Sequence, residues 1–419
     1  MLELLDHPQR RLHGALVGGT NGKGSVVALT RAVLGAAGLS VGTMPKPHLV
    51  EYRERICIDG IPIPPARFAA AIGRVLPTAD TVADELGPPT EFELLTAAAV
   101  TELAGSGVDL AVIEVGMGGR LDATNALDLG VAAITNVQKD HERYLGTTLA
   151  AIGTEKAAII ESGDLAVTGA SGRGLRPILE RCAAVGVPLR RAGPRRPYAA
   201  VVREVGWEGT VVDAQTPALA LPGLRLALLG SHQAANAAVA VAILEALAED
   251  AARRGQALRG VDEAAIRAGF GSARWPGRME LLEGGPDHGR VLLDGAHNPA
   301  GARALARSLD ELGLRTFPLV FGAMRGKRIT GALRALAPLR PRPIFTRVDD
   351  PNAHDPAQLA RAWRRAAPDG ARPNTADTPD EALVRAAGMR HGDEPVVVAG
   401  SLYLVGAIRP LLTGTDEEA

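Results

Sequence analysis

The chain is predicted to be α/β: a parallel sheet covered by helices on both faces, followed by a second, smaller α/β domain. Three observations carry that expectation. Short apolar runs alternate with amphipathic stretches along almost the whole sequence, the signature of repeated β-α units. At 419 residues the chain exceeds one typical core, and its 46% apolar residues are enough to fill two. The alternation breaks at 272–278, where Trp275-Pro276-Gly277 is turn chemistry.

Taken in order, 15–18, 110–115, 131–137 and 165–168 read as strands. Residues 25–37 carry Val26, Leu29, Val33 and Ala36 at helical spacing, and Thr90 stands three residues before Glu93, a capping box opening a helix over 90–104. From 186 to 230, arginines and prolines punctuate β-like runs (199–202, 210–212, 224–228), predicting a small β insertion before a helix over 232–248. A second block starts near Met279: strand 291–293, helix 301–312, strand 318–321, helix 329–336, strand 396–399 and helix 402–411. The expected division is a domain over 1–274, a hinge linker at 275–280 and a domain over 281–419.

A net charge of −1 argues against broad nucleic-acid binding. Cys57 and Cys182 are too far apart for a metal motif and fit a reducing compartment. No apolar run reaches the ~18 residues of a membrane span, and the start, Met1-Leu2-Glu3-Leu4, lacks a basic region before an apolar stretch. A cytoplasmic protein that binds no membrane is expected.

The most informative segment is Gly19-Thr20-Asn21-Gly22-Lys23-Gly24-Ser25, between the apolar run Ala15-Leu16-Val17 and helix-compatible sequence. Glycines let backbone N–H groups turn toward an anion, the new helix adds its positive end, and Lys23 supplies a mobile charge. The segment departs from G-x-x-x-x-G-K-[ST]: Val17 stands five residues before Gly22, and Gly24 separates Lys23 from Ser25. It still predicts a nucleoside triphosphate site, with Lys23 on the β/γ phosphates and Ser25 on magnesium. The first domain is thus expected to be a P-loop parallel-sheet ATPase domain.

Open α/β sheets gather ligands at the carboxyl ends of their strands. Glu114 ends one strand there, before Gly116-Met117-Gly118-Gly119-Arg120, and is the first candidate metal ligand; pairing with Arg120 or a loop amide is the alternative. Asp140-His141 follow the next strand. A histidine there is either a magnesium ligand or a capping residue, since magnesium prefers oxygen.

These segments, with Pro47-His48-Leu49, Glu54-Arg55-Ile56, the run from Glu114 to Asn125, Glu155-Lys156-Ala157, His232-Gln233, Asn236-Ala237-Ala238, Trp275-Pro276-Gly277-Arg278, Asp294-Gly295-Ala296-His297-Asn298-Pro299 and Gly400-Ser401-Leu402-Tyr403, stand in one order. In that order the chain resembles the folylpolyglutamate synthase/dihydrofolate synthase family of the Mur ligase superfamily. The resemblance implies a smaller Rossmann-like α/β domain after the P-loop domain. It also implies a monomeric ATP-dependent ligase that joins L-glutamate to a pterin or folate carboxylic acid through an acyl phosphate. ATP and Mg2+ are the expected cofactors. By the same resemblance, Thr20, Asn21, Gly22, Lys23, Gly24, Ser25, Asn236, Arg278, Asp294 and His297 bind the nucleotide. Ser25, Glu114 and His141 hold magnesium; Lys23, Lys156 and His297 are catalytic, with Lys156 carbamylated. Unmodified, Lys156 would be a solvated helix lysine paired with Glu155 or Glu161. Without the resemblance, Asp294-Gly295 is a strand-ending turn and His297-Asn298-Pro299 a helix start. A site split between domains suits a reaction that must keep water from an acyl phosphate.

Three departures stand out. Lys46 occupies the position before Pro47-His48-Leu49 where the family usually has a serine that helps hold magnesium, which puts one metal ion in question. Gly326 and Arg328 replace common acidic residues, and Asp349-Asp350-Pro351-Asn352-Ala353 replaces a proline-arginine-alanine segment. They leave two rival functions: a Mur-superfamily ligase acting on a different carboxylic acid, or an inert ATP-binding regulatory module.

Overall fold

The computed structural model describes residues 1–327 and 329–413. They form two compact units: one of Met1–Glu204, Val211–Ala227 and Gln233–Ala273, the other of Val205–Thr210, Leu228–His232 and the chain from Arg274 onward. Among the described residues no helix is long and apolar enough to cross a membrane.

The first unit is built on β1 (Gly14–Gly18), β2 (Val41–Met44), β3 (Cys57–Ile58), β4 (Ile61–Pro62), β5 (Leu110–Glu114), β6 (Gly130–Ile134), β7 (Leu165–Thr168) and β8 (Leu189–Arg191). They make an eight-stranded sheet in the order β4-β3-β2-β5-β1-β6-β7-β8. From β2 to β8 every pairing is parallel, while β3 and β4 turn back antiparallel at one edge. Every residue of β1, β2, β5 and β7 is buried. Strands covered on both faces read as continuous apolar runs, which is why the sequence revealed them.

Helices α1 (Lys23–Ala36), α2 (Pro65–Leu86), α3 (Glu91–Ser106), α4 (Glu142–Leu145), α5 (Leu149–Ala157), α6 (Arg176–Val185), α7 (Gln233–Arg253) and α8 (Glu263–Ser272) complete this unit. α1 packs on α7 and α8, and α7 lies against β6 and β7. The capping box forms as expected: the Thr90 hydroxyl accepts from Glu93 N at 3.3 Å while Glu93 accepts from Thr90 N at 2.7 Å. The β insertion is a sheet of β9 (Ala199–Gly206), β10 (Gly209–Gln215) and β11 (Ala220–Leu226).

Two elements differ from expectation. The strand expected over 131–137 stops at Ile134; beyond it Thr135 N still donates to Gly18 O at 2.9 Å, and the side chains of Thr135, Asn136 and Gln138 bond the glycine loop. α2 was not foreseen. It contains Pro77 and buries only Ala71, Val75, Thr78 and Ala79, a narrow stripe whose periodic signal a mid-helix proline obscures.

The second unit holds β12 (Glu280–Glu283), β13 (Arg290–Leu293), β14 (Pro318–Phe321), β15 (Arg342–Phe345), β16 (Asn374–Thr375) and β17 (Val396–Ala399), ordered β12-β13-β17-β14-β15-β16. Only β12 is antiparallel to its neighbour. Helices α9 (Gly285–His288), α10 (Pro299–Glu311), α11 (Ile329–Leu336), α12 (Pro356–Ala366), α13 (Pro379–Ala387) and α14 (Leu402–Thr413) accompany it. Phe317, Phe321, Phe345 and Trp363 fill its core, and the Trp363 indole donates to Ala371 O at 2.9 Å, so burial leaves no polar atom unmatched there.

One buried carboxyl in the first unit yields a pH prediction. Asp164 accepts from Glu161 N at 2.7 Å, yet burial, first of all, pushes it up to about 6, with Asp128, Glu161 and Asp250 adding repulsion. A raised pKa means the native state keeps this proton longer than the unfolded chain; its stabilising contribution is complete below the ordinary carboxylate range and lost as pH rises through 6. Asp164→Asn keeps an acceptor without the charge. It should melt above wild type at pH 7, with the gap closing toward pH 4 in a thermal melt series.

Candidate active site

The loop from β1 to α1 needs glycine at two points. Gly19 has φ 139° and a Cβ there would lie 1.9 Å from Thr135 Oγ1; Gly22, at the amino end of α1, has φ 81° and would meet Asn236 Oδ1 at 2.3 Å. Neither geometry admits a side chain without strain. The segment after β6 holds the loop in place. Asn21 O accepts from Thr135 Oγ1 (2.7 Å) and Asn136 Nδ2 (2.9 Å), and Asn21 N donates to Asn136 Oδ1 (3.0 Å). Asn21 Nδ2 donates to Gln138 Oε1 (2.9 Å), while Gln138 N donates to Thr20 Oγ1 (3.0 Å). Thr20 and Asn21 side chains therefore shape the cradle. Gly24 and the buried Ser25 lie in the first turn of α1, whose unpaired N–H groups and dipole favour an anion.

This geometry predicts that Gly19→Ala, measured by nucleotide-induced thermal shift and equilibrium binding, weakens nucleotide affinity at least about a hundredfold.

Around the cradle stand charged groups held out of water. Lys23 Nζ lies 3.8 Å from Glu114 Oε1, with the two side chains only 16% and 7% exposed. Arg120, the alternative partner for Glu114, instead donates to Glu155 Oε1 at 3.0 Å. Lys156 is not the solvated lysine the unmodified alternative requires: it is 4% exposed and donates to Gly19 O at 2.9 Å. Burial, and then the charge of Lys23, bring its ammonium down to about 8 against the pull of Asp140 and Asp122. His141 is exposed, has φ 49° and precedes α4; its N–H donates to Asp140 Oδ1 at 2.9 Å. Among the described residues no three His, Cys, Asp or Glu side chains gather as a metal cage. A divalent cation here would need oxygens from ligand or water, the usual case for magnesium.

Asn236, on α7, is 7% exposed and donates to Gln233 Oε1 at 2.8 Å, with Oδ1 packed against Gly22. It thus touches the cradle. In the second unit, Asp294 accepts from Met279 N (3.0 Å) and Ala296 N (2.9 Å) after β13; burial raises its carboxyl and Arg278 opposes that shift. His297 Nδ1 donates to Gly295 O at 2.9 Å, and Asn298 caps α10 by accepting from Gly301 N at 2.8 Å. The turn and helix-start roles therefore hold beside any ligand role. The segment just before Gly326 meets the 349–353 departure: Met324 bridges Ala353, and Arg325 N donates to Asn352 O at 2.7 Å. Arg328 lies outside the described residues.

Sequence reasoning missed Thr135, Asn136 and Gln138, which it read as strand or left aside. Their polar run at a strand end was the available signal. It also missed Phe92, whose ring lies 3.9 Å from Lys46 Nζ.

Comparison with known proteins agrees with this architecture. Residues 17–244 match the Mur ligase middle domain and residues 277–402 the Mur ligase, glutamate ligase domain. The dihydrofolate synthase/folylpolyglutamate synthase of Mycobacterium tuberculosis is 35% identical over 444 residues, covering 100% of this chain and 89% of that protein. That of Bacillus subtilis is 31% identical, covering 98% and 93%. The chain spans 48% of a Haloferax volcanii relative whose name joins folylpolyglutamate synthase to dihydropteroate synthase, at 35% identity over 99% of this chain. Among solved structures, M. tuberculosis folylpolyglutamate synthase complexed with ADP and AMPPCP gives a TM-score of 0.87 at 34% identity, covering 100% of this chain and 94% of that one. The Escherichia coli enzyme in complex with DHPP and ADP gives 0.82 at 28%, covering 98% and 92%. With both Mur domains in place and near-complete alignment to these relatives, the chain belongs to the folylpolyglutamate synthase/dihydrofolate synthase family of Mur ligases.

Proposed function

We propose that this chain joins the amine of L-glutamate to the carboxyl group of a pterin acid, dihydropteroate or a reduced folate or both, using ATP and passing through an acyl phosphate. The observation that carries this reading is the glycine cradle, locked by Thr135, Asn136 and Gln138 and flanked by Lys23, Glu114 and Lys156, in a chain that aligns along its whole length with the family.

A carboxylate is a poor electrophile, and phosphorylation turns one of its oxygens into a leaving group that a free amine can displace. The residues suit that task. The cradle N–H groups and Lys23 hold the triphosphate and stabilise charge on the transferred phosphoryl group. Glu114 and Ser25 offer hard oxygen donors at a strand end and a helix start, a set that fits Mg2+, with the exposed His141 as a further candidate ligand. Bound there, the ion would neutralise phosphate charge. Lys156 is suited to carbamylation: at about 8 roughly a tenth of it is neutral at pH 7, against a few in ten thousand for an ordinary lysine, and only the neutral amine attacks CO2. Arg278, Asp294 and His297 are assigned to nucleotide handling on the resemblance of their motifs, as is Asn236, whose packing on Gly22 adds support. The working form is read as a cytoplasmic monomer; buried, free Cys57 and Cys182 fit a reducing compartment.

The departures at Gly326, at Arg328 and over 349–353 favour a second reading, the same ligation on a different acid. Incubation with ATP, magnesium, glutamate and a panel of pterin and unrelated acids, read by product mass spectrometry, separates the two. A glutamyl increment on a pterin acid supports the first; an increment only on another acid supports the second; no increment on any acid overturns both and favours an inert ATP-binding module. Glu114→Gln should raise the magnesium concentration needed for half-maximal turnover at least about tenfold, and an unchanged titration would return Glu114 to a structural role.

A further inference from the structure

Lys46 follows β2, which pairs with β5, the strand ending in Glu114; β5 in turn pairs with β1, which leads into the glycine cradle. Its Nζ is sealed from solvent and makes no hydrogen bond. The Phe92 ring, 3.9 Å from the ammonium, answers its charge without taking any of its three N–H donors. Asp122 and then Glu114 attract it without a hydrogen bond, and the Asp122 carboxylate is engaged elsewhere: Oδ2 accepts from Met117 N (2.8 Å), and Oδ1 from Thr124 N (3.1 Å) and Thr124 Oγ1 (2.5 Å). An ammonium withdrawn from water with its donors unspent is costly to keep. The cost is relieved when an anionic oxygen arrives, and the carboxyl edge of a parallel sheet beside Lys23 is where anionic ligands come to rest.

We propose that Lys46 Nζ directly binds an anionic oxygen of the reacting groups, as a fixed cation that does in this chain part of what a metal ion would otherwise do. The proposal rests on the ligase reading above and deepens it. The oxygen belongs either to the terminal phosphoryl group of ATP or to the carboxylate of the acid. In both cases the ligand supplies acceptors to donors that the protein leaves unused, and its negative charge offsets the repulsion of Lys46 by Arg55 and Lys23, beside the attraction of Asp122 and Glu114. Burial draws the Lys46 ammonium down to about 7 in the ligand-free protein, and a bound anion would draw it back up.

The test compares wild type with Lys46→Met, which keeps the apolar stem against Phe92, and with Lys46→Arg, which keeps a cation. Affinities for ATP and ADP are measured by equilibrium dialysis without divalent metal, and KM for the acid is measured with magnesium. If the phosphoryl oxygen is the partner, Lys46→Met loses ATP affinity at least about tenfold while ADP binding stays within about twofold. If the carboxylate is the partner, KM for the acid rises at least about tenfold with nucleotide binding unchanged. Partial recovery in Lys46→Arg supports the charge assignment in either case. A folded Lys46→Met protein with wild-type nucleotide affinities and wild-type KM overturns the proposal. Failure of the ligase reading is separate, because it would show as no glutamyl product from wild type.

Discussion

Lys23→Ala should abolish ATP-dependent phosphate release, with turnover down at least about a hundred- to thousandfold, the cost of losing one preorganised charge at a developing anion. The lysine sits in the first turn of α1 and 3.8 Å from Glu114, so its removal also takes one positive charge away from a nearly buried carboxylate. A modest fall in melting temperature is expected, because the cradle keeps its bonds from Thr135, Asn136 and Gln138. Two measurements separate chemistry from folding: single-turnover phosphate release, and the thermal shift produced by ATP. The variant should lose most of the first and much of the second, while ADP-dependent stabilisation changes less. Turnover at the wild-type level would remove Lys23 from the phosphate site.

Lys156→Ala should reduce turnover by a similar factor, for a different reason. The residue lies within the first unit's interior and ties α5 to Gly19, so truncation loosens the cradle as well as deleting the amine proposed to be carbamylated. Lys156→Met keeps the buried stem and removes only the amine. If the amine matters only as a tether, Lys156→Met and Lys156→Ala should both weaken nucleotide binding, and carbon NMR with 13C-bicarbonate should show no carbamate in wild type. If it is carbamylated, wild type shows a carbamate signal that both variants lack. Activity should then rise with bicarbonate and with pH through about 8, since the neutral amine gains population in that direction. A wild-type enzyme that is fully active yet shows neither signal nor bicarbonate dependence would end the assignment.

Much of the fold was legible because its signals are local. Strands β1, β5 and β7 read as apolar runs since both faces are buried, and Thr90 with Glu93 announced α3 through a contact three residues apart. The glycine-rich loop and the lysine beside it were legible for the same reason: the turn that the proposed phosphate site needs is built from consecutive residues. α2 was hidden by Pro77 and a thin buried stripe. The early end of β6 was hidden because the Thr135 and Asn136 side chains are bound to Asn21, more than a hundred residues away in sequence.

By itself the sequence determined the two-domain α/β plan, the glycine loop before α1 and the residue types gathered near it, because each depends on neighbours in the chain. Only the tertiary structure decided which alternative each side chain takes. Arg120 went to Glu155 and left Glu114 with Lys23, Lys156 was buried against Gly19, and Lys46 was sealed over Phe92. Burial and charge partners at these positions are set by β2, β5, β1 and α5 meeting in space, and those meetings fix how readily an ammonium or a carboxylate keeps its charge.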